Sequence, residues 1–565
     1  MKSEGSAFGT TSGCRQTLRL PAGVQAQVQA RLRAWQQADL PRRMWDRDPT
    51  LWSARPLPEL SDRLGWLALP ETMRAQSDAL AAFAGEVAAA GMSQVALLGM
   101  GGSSLAPEVF QRTFGGRAGH PNLLVLDSTH PGAVRAAAAR LDLRRTLFLV
   151  SSKSGTTTET LALFRYFWHE LGRLTARPGS QFVAITDPGT PLERLAADRR
   201  FRRTFLAPPD VGGRYSALTV FGLVPASLIG VEVIRLLERA RAMARACGPD
   251  VAAADNPGLL LGAVLGELAL AGRDKVTIFT TPALAALPSW IEQLIAESTG
   301  KDGRGIVPVV DEPPAPAGDY GTDRGFVLIT LEGDDSTDLR AAADASATAG
   351  HPLTHIHLHE RVDLGGEFFR WEVATAAAGA ILGIHPFNQP DVQLAKDLAH
   401  QAMASGPQAA PRVTADEAGV AVSQPGALSD ALRRWMALVR PGDYVGLQAY
   451  LAPSEDVTAA LGAIRRVLRD RLRVATTVGY GPRFLHSTGQ LHKGGSESGL
   501  FLQLVDDAAD DLAVPETDYT FGALIRAQAL GDFRALQQRG RRVVRVSLGR
   551  DPAAGLERVL EAVRG

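Results

Sequence analysis

Lysine is nearly absent from this chain. Of 60 basic residues only six are Lys: Lys2, Lys153, Lys275, Lys301, Lys396 and Lys493. Arginine carries the routine charge, so a retained Lys marks a place that needs a compact, mobile ammonium. Cysteine is scarcer still. Cys14 and Cys247 are too few for a disulfide framework or a Cys-based zinc site. Net charge is absent as well, with 60 acidic residues against 60 basic. No basic excess is available to neutralise a phosphate backbone, which argues against a nucleic-acid partner. No apolar run reaches the roughly 20 uninterrupted residues of a membrane span. The longest, residues 219–234, is broken by Pro225, two glycines and Glu232. The stretch 1–13 lacks the apolar core of a signal peptide. These absences predict a soluble cytoplasmic protein with no membrane partner.

What is present is ample apolar material: 565 residues, 45% hydrophobic, enough for two or three domain cores. From about residue 71 short apolar runs alternate with helical segments. Residues 95–99, 122–126, 146–150 and 182–186 are each followed by a helical pattern, as are 276–280, 326–330 and 354–358. Such alternation predicts an α/β fold of two parallel-sheet domains with helices on both faces. A third set of strands, 444–451, 500–505 and 542–548, predicts a C-terminal α/β extension. The expected boundaries are an N-terminal helical arm over 1–60, domains over 61–230 and 231–405, and the extension over 406–565.

Ligands of open parallel sheets bind at the carboxyl ends of strands. Two loops here occupy that position: Met100-Gly101-Gly102-Ser103-Ser104, and Ser151-Ser152-Lys153-Ser154-Gly155-Thr156-Thr157-Thr158-Glu159, which runs into a helix. Glycines let backbone amides approach an anion, hydroxyls add donors, and a helix N-terminus adds positive partial charge. Ser and Thr that merely cap helices would be the plainer explanation of one such loop. Two loops ending neighbouring strands favour a phosphate. No GxxxxGK[ST] motif is present, so a nucleoside triphosphate is disfavoured.

Five motifs in order carry a family resemblance: Gly99-Met100-Gly101-Gly102-Ser103, Ser152 to Thr157, Gly212-Gly213-Arg214-Tyr215-Ser216, Gln293 to Lys301, and Phe387-Asn388-Gln389 to Lys396. Together they resemble the phosphoglucose isomerase family, whose domains are of the sugar-isomerase (SIS) type. The tail, His486-Ser487-Thr488-Gly489-Gln490-Leu491-His492-Lys493-Gly494-Gly495, resembles the isomerase end of bacterial transaldolase–phosphoglucose isomerase fusions. The extension is too short for a transaldolase barrel. The resemblance implies reversible isomerisation of glucose 6-phosphate and fructose 6-phosphate through a cis-enediolate, without cofactor or metal, in a homodimer.

It also implies roles. Glu297 is the base that carries a proton between C1 and C2. Its apolar neighbours Trp290, Ile291, Leu294 and Ile295 withhold water from it, and Gln293 lies one turn earlier on the same face. Arg214 meets the developing oxyanion. Lys396 assists ring opening, two helical turns after Gln389, which contacts the phosphate; Gln293 is also a substrate contact. Gly102, Ser103, Ser152, Lys153, Ser154, Thr157 and Gly213 surround the substrate and its phosphate, with His385 a further contact. The pattern departs at Asp391, Gln393 and Thr299, and above all in the ring-opening histidine. Its region, Asp319 to Gly325, contains no His, and Arg324 in its place cannot deprotonate. The expected substitute is His492, or His486, on a tail loop reaching an active site of its own or a partner subunit. A polar surface loop is the alternative.

His355, His357 and His359 alternate and share a strand face. Without an evident further ligand nearby they read as a solvated face, and no metal is expected. A non-catalytic sugar-phosphate-binding regulator of the same fold remains the rival function, since fold alone does not fix activity. Such a regulator has no need of Glu297, Arg214 and Lys396 together.

Overall fold

The computed structural model describes residues 7–11, 14–405, 414–415, 421–423, 427–507 and 510–565. Three sheets organise them. The first is five-stranded and fully parallel, in the order Asn122–Leu126, Gln94–Gly99, Thr146–Ser151, Phe182–Thr186 and Arg203–Leu206. The second orders Leu353–Leu358, Arg324–Leu331, Lys275–Thr280 and Val307–Val310 in parallel. The third has the parallel series Arg542–Ser547, Gly499–Val505, Tyr444–Tyr450 and Ala475–Tyr480. The central strands are buried along their whole length, as helices on both faces require.

The arm expected to be helical over residues 1–60 differs from the structure. Ala7–Thr11 and Cys14–Arg19 form a hairpin whose second strand pairs antiparallel with Leu353–Leu358. Cys14, Gln16 and Leu18 face inward while Arg15 and Arg19 face out, a two-residue period too short to register in the sequence beside the helix Ala22–Gln37. At the other limit, the helix Val392–Ser405 packs on Phe521–Gln538 of the extension.

Cores follow the layers. One apolar cluster runs without a break through the helices between the first two sheets. Its centre is the helix Leu364–Leu382, buried on nearly every side, whose Phe368 meets Trp290 edge-on at 4.7 Å. That contact fixes the helix Leu287–Thr299, which buries Leu287, Trp290, Ile291, Leu294 and Ile295 at helical spacing. A smaller cluster joins Ala296, Val307 and Val309 to Tyr444, Ala475, Leu491 and Phe501, so the extension docks directly on this helix.

Candidate active site

Gln293, Glu297 and Arg214 lie on or beside the helix Leu287–Thr299. Because its apolar residues face the core, Gln293 and Glu297 fall together on the remaining face, four residues apart. Gln293 Nε2 donates to Glu297 Oε2 at 3.1 Å and to the main-chain oxygen of His486 at 2.8 Å. On the other side of Glu297, Oε1 lies 3.4 Å from Arg214 Nη1.

Arg214 is buried and held by every nitrogen. Its Nε donates to Ser298 Oγ at 2.7 Å, Nη1 to Gln389 Oε1 at 3.1 Å, and Nη2 to the carbonyls of Pro386 and Asn388 at 2.7 and 2.9 Å. A guanidinium so fixed presents a positive charge that does not reorganise when an oxyanion forms beside it. The turn that supplies those carbonyls is itself tied down by Lys301, whose Nζ donates to the His385 carbonyl and to Asn388 Oδ1 at 3.1 Å. Burial, and then the Arg214 charge, holds the Lys301 ammonium well below its usual range.

The loops come together by backbone contact. A Cβ on Gly102 would sit 2.0 Å from the carbonyl oxygen of Gly213, so these two glycine loops touch where side chains would hold them apart. The loop 151–157 ends at the N-terminus of the helix Thr158–Gly172, with Gly155 at φ +67°. Ser152 Oγ and Thr157 Oγ1 are 2.9 Å apart, and Ser154 Oγ and Thr156 Oγ1 3.0 Å. Hydroxyls and amides at a helix start form an anion cradle. Lys153 pairs with Asp187 at its edge.

Ser154, Thr157, Glu159, Lys396 and His486 line a cavity of about 450 Å³ beside this cradle. His486 Nε2 lies 2.9 Å from Glu159 Oε1, which also accepts from Gln528 Nε2 at 2.7 Å. Burial pulls the Glu159 carboxyl upward, but the charge and hydrogen bond of His486, with Lys396 beyond, outweigh it and hold the carboxyl below its ordinary value. His486 thus lines the cavity with its Nε2 turned to Glu159.

Several sequence expectations shift. His492 is not at this site: it is buried between Phe484 and Phe501, accepts from Gln448 Nε2 at 3.2 Å, and is held neutral by burial and by the charges of Lys493 and Arg541. The segment 486–495 is no surface loop. Residues Gly489–Gly494 form a short buried helix, because Lys493 pairs with the buried Asp532, and Gln490 Nε2 bonds the Gly300 carbonyl and Asp391. The His385 ring points elsewhere too, bonding the Pro58 carbonyl at 2.8 Å, and only its backbone serves the site through Lys301. The Gln389 side chain is engaged by Arg214 Nη1, which donates to its Oε1. Arg324 lies in the core, paired with Glu312 at 2.9 Å.

Glu159, Ser298 and Gln528 were not singled out from sequence. Glu159 closes the motif 151–159 and is visible there, whereas Ser298 and Gln528 meet their partners Arg214 and Glu159 only through contacts between distant segments.

Comparison with known proteins bears on the family and the fold. The family model described as phosphoglucose isomerase matches residues 69–323. A glucose-6-phosphate isomerase of Rubrobacter xylanophilus is 30% identical over 400 residues, covering 61% of this chain and 90% of the relative. A crystal structure of a hypothetical protein from Thermus thermophilus superposes with a TM-score of 0.60 at 25% identity, over 68% of this chain and 100% of the other. A glucose-6-phosphate isomerase structure from Chlamydia trachomatis shares the fold with a TM-score of 0.56 at 20% identity, over 71% and 91%. On sequence and fold together, the chain belongs to the phosphoglucose isomerase family.

Proposed function

We propose that the chain interconverts D-glucose 6-phosphate and D-fructose 6-phosphate. The single observation that carries the reading is Glu297 set between Arg214 and Gln293, with Gln293 bonded to the segment that carries His486. A sugar-phosphate-binding regulator would use the cradle and leave this constellation idle.

The phosphate rests on the hydroxyls and amides of 152–157, which places C1 and C2 toward Glu297. His486, oriented by Glu159, gives a proton to the ring oxygen as the C1–O5 bond breaks. The C1 hydroxyl proton leaves to solvent beside Lys396, giving the open-chain aldehyde. Glu297 then takes the C2 proton, and the electron pair moves to form the C1–C2 double bond with charge on O1. Arg214 meets that charge. Return of the proton to C1 completes the ketose, with the hydroxyl proton exchanged between the two oxygens. No step in this reading draws on a cofactor.

Sequence reasoning places the ring-opening group on the tail, at His492 or His486; the proposal assigns it to His486. The reading also carries a cytoplasmic location. Among the described residues no helix is long and apolar enough to cross a membrane. A homodimer is implied by the family resemblance. A coupled assay forming glucose 6-phosphate from fructose 6-phosphate tests the proposal. Turnover by the parent chain and its loss in Glu297→Gln support it, and an inert parent chain sinks it.

A further inference from the structure

The adjacent strands Arg324–Leu331 and Leu353–Leu358 run parallel and end side by side. Glu332 follows the first, while His357 and His359 lie at the end of the second. None of the three belongs to the isomerase site. Yet one donor atom from each lies within 4.8 Å of the others. His359 Nδ1 is 2.8 Å from Glu332 Oε2, and the His357 and His359 rings meet edge-on at 5.2 Å. From sequence the histidine row lacked a further ligand; the sheet register supplies it, since Glu332 stands 27 positions from His359 along the chain.

We propose that Glu332, His357 and His359 form a binding site for a divalent transition metal of the zinc type. Two imidazoles and one carboxylate match zinc, cobalt or nickel and disfavour magnesium and calcium, which take oxygen ligands. His357 Nδ1 is 2.9 Å from Thr330 Oγ1, whose hydroxyl also lies 3.0 Å from His355 Nε2. Donation from Nδ1–H to Thr330 leaves the Nε2 lone pair for the metal, the orientation that an outer partner gives a ligating histidine. His359 is held as well, because its main-chain N–H and that of Glu360 both donate to Asp363 Oδ2 at 2.9 Å. A bound ion replaces the direct His359–Glu332 hydrogen bond, parting those atoms by about half an ångström to reach ligand distances near 2 Å. Water fills the remaining position. The ion clips two strand ends at the surface and takes no part in isomerisation.

The test is a zinc titration of the metal-stripped full-length chain, by calorimetry or chelator competition, beside thermal melts with and without zinc. The parent should bind one equivalent saturably at this site and melt higher with zinc. The double variant His357→Ala/His359→Ala should lose that equivalent and the shift. Glu332→Gln, which keeps the shape of the side chain, should weaken binding at least tenfold. Thr330→Val, outside the ligand set, should weaken it by about tenfold or more. His355→Ala should retain the equivalent, and zinc or chelator should leave fructose 6-phosphate turnover unchanged. A parent chain without saturable binding, or a double variant that binds as the parent does, would overturn the proposal.

Discussion

At the scale of the residue, two ion pairs are joined by one glutamine: Glu297 with Arg214, and His486 with Glu159. In the proposed function the first pair serves proton transfer and the second ring opening. Gln293 touches both the Glu297 carboxylate and the His486 backbone. Glu297→Gln should keep sugar-phosphate binding and lower kcat by roughly 10²–10⁴-fold, the usual yield of a positioned base. It should also stop exchange of the C2 proton with solvent, measured by NMR in deuterium oxide. His486→Ala should separate the steps. Turnover of the cyclic sugar should fall by about 10²-fold or more, while C2-proton exchange on an open-chain substrate is spared. Equal loss of both activities would assign His486 a structural task.

At the scale of the element, the helix Leu287–Thr299 has two polar faces with different surroundings. Gln293 and Glu297 face the site. Glu292 instead faces a second cavity of about 380 Å³, where Arg483 pairs with Glu108 and Asp127. Burial, and then the nearby Asp311 charge, pushes the Glu292 carboxyl up to about 8, against the pull of Arg483 and Arg465. The folded chain therefore keeps a proton that the unfolded chain releases near 4.5. Between those values the unfolded state binds fewer protons, so this group's contribution to stability falls as pH rises through the window and is constant above it. Glu292→Gln removes the effect. The variant should melt above the parent at pH 8, with the difference shrinking toward pH 5; a pH-independent difference in calorimetry would refute the assignment. Segment 483–487 lines both cavities, with Leu485 and His486 on one and Arg483, Phe484 and Ser487 on the other. The salt bridges of Arg483 thus anchor the backbone that carries His486.

At the scale of the molecule, the extension packs directly on the helix that carries Glu297. Helix Gly489–Gly494 buries Leu491 against Ala296, one residue before Glu297, in the cluster that includes Phe501. The core between the first two sheets is continuous, and the opposite face of the first sheet packs with Val514, Phe521 and Leu524 of the extension. Shared cores make shared cooperativity. Scanning calorimetry should therefore show one main transition for all three sheets. Phe501→Ala should lower that whole transition, at a cost of about 3–5 kcal/mol for a buried aromatic. A separate low-temperature transition for the extension would contradict the coupling.

The sequence by itself determined whatever is encoded locally. Glycine loops at strand ends, hydroxyls before a helix, and Gln293 and Glu297 at i, i+4 beside an apolar stripe are written within a few residues, so the α/β class and the shared helix face of Gln293 and Glu297 are legible there. The roles of these groups come from the family resemblance. The tertiary structure decided what depends on long-range burial. His486 and His492 have similar polar neighbours in sequence, and only packing against Phe484 and Phe501 sends His492 to the core while Glu159 draws His486 to the cavity. The strands Ala7–Thr11 and Cys14–Arg19 show the same limit, since the second becomes intelligible only beside Leu353–Leu358. Glu332 shows it again, meeting His359 through sheet register alone. A side chain's neighbours in space are set by which distant surfaces must exclude water together, and no local pattern records that.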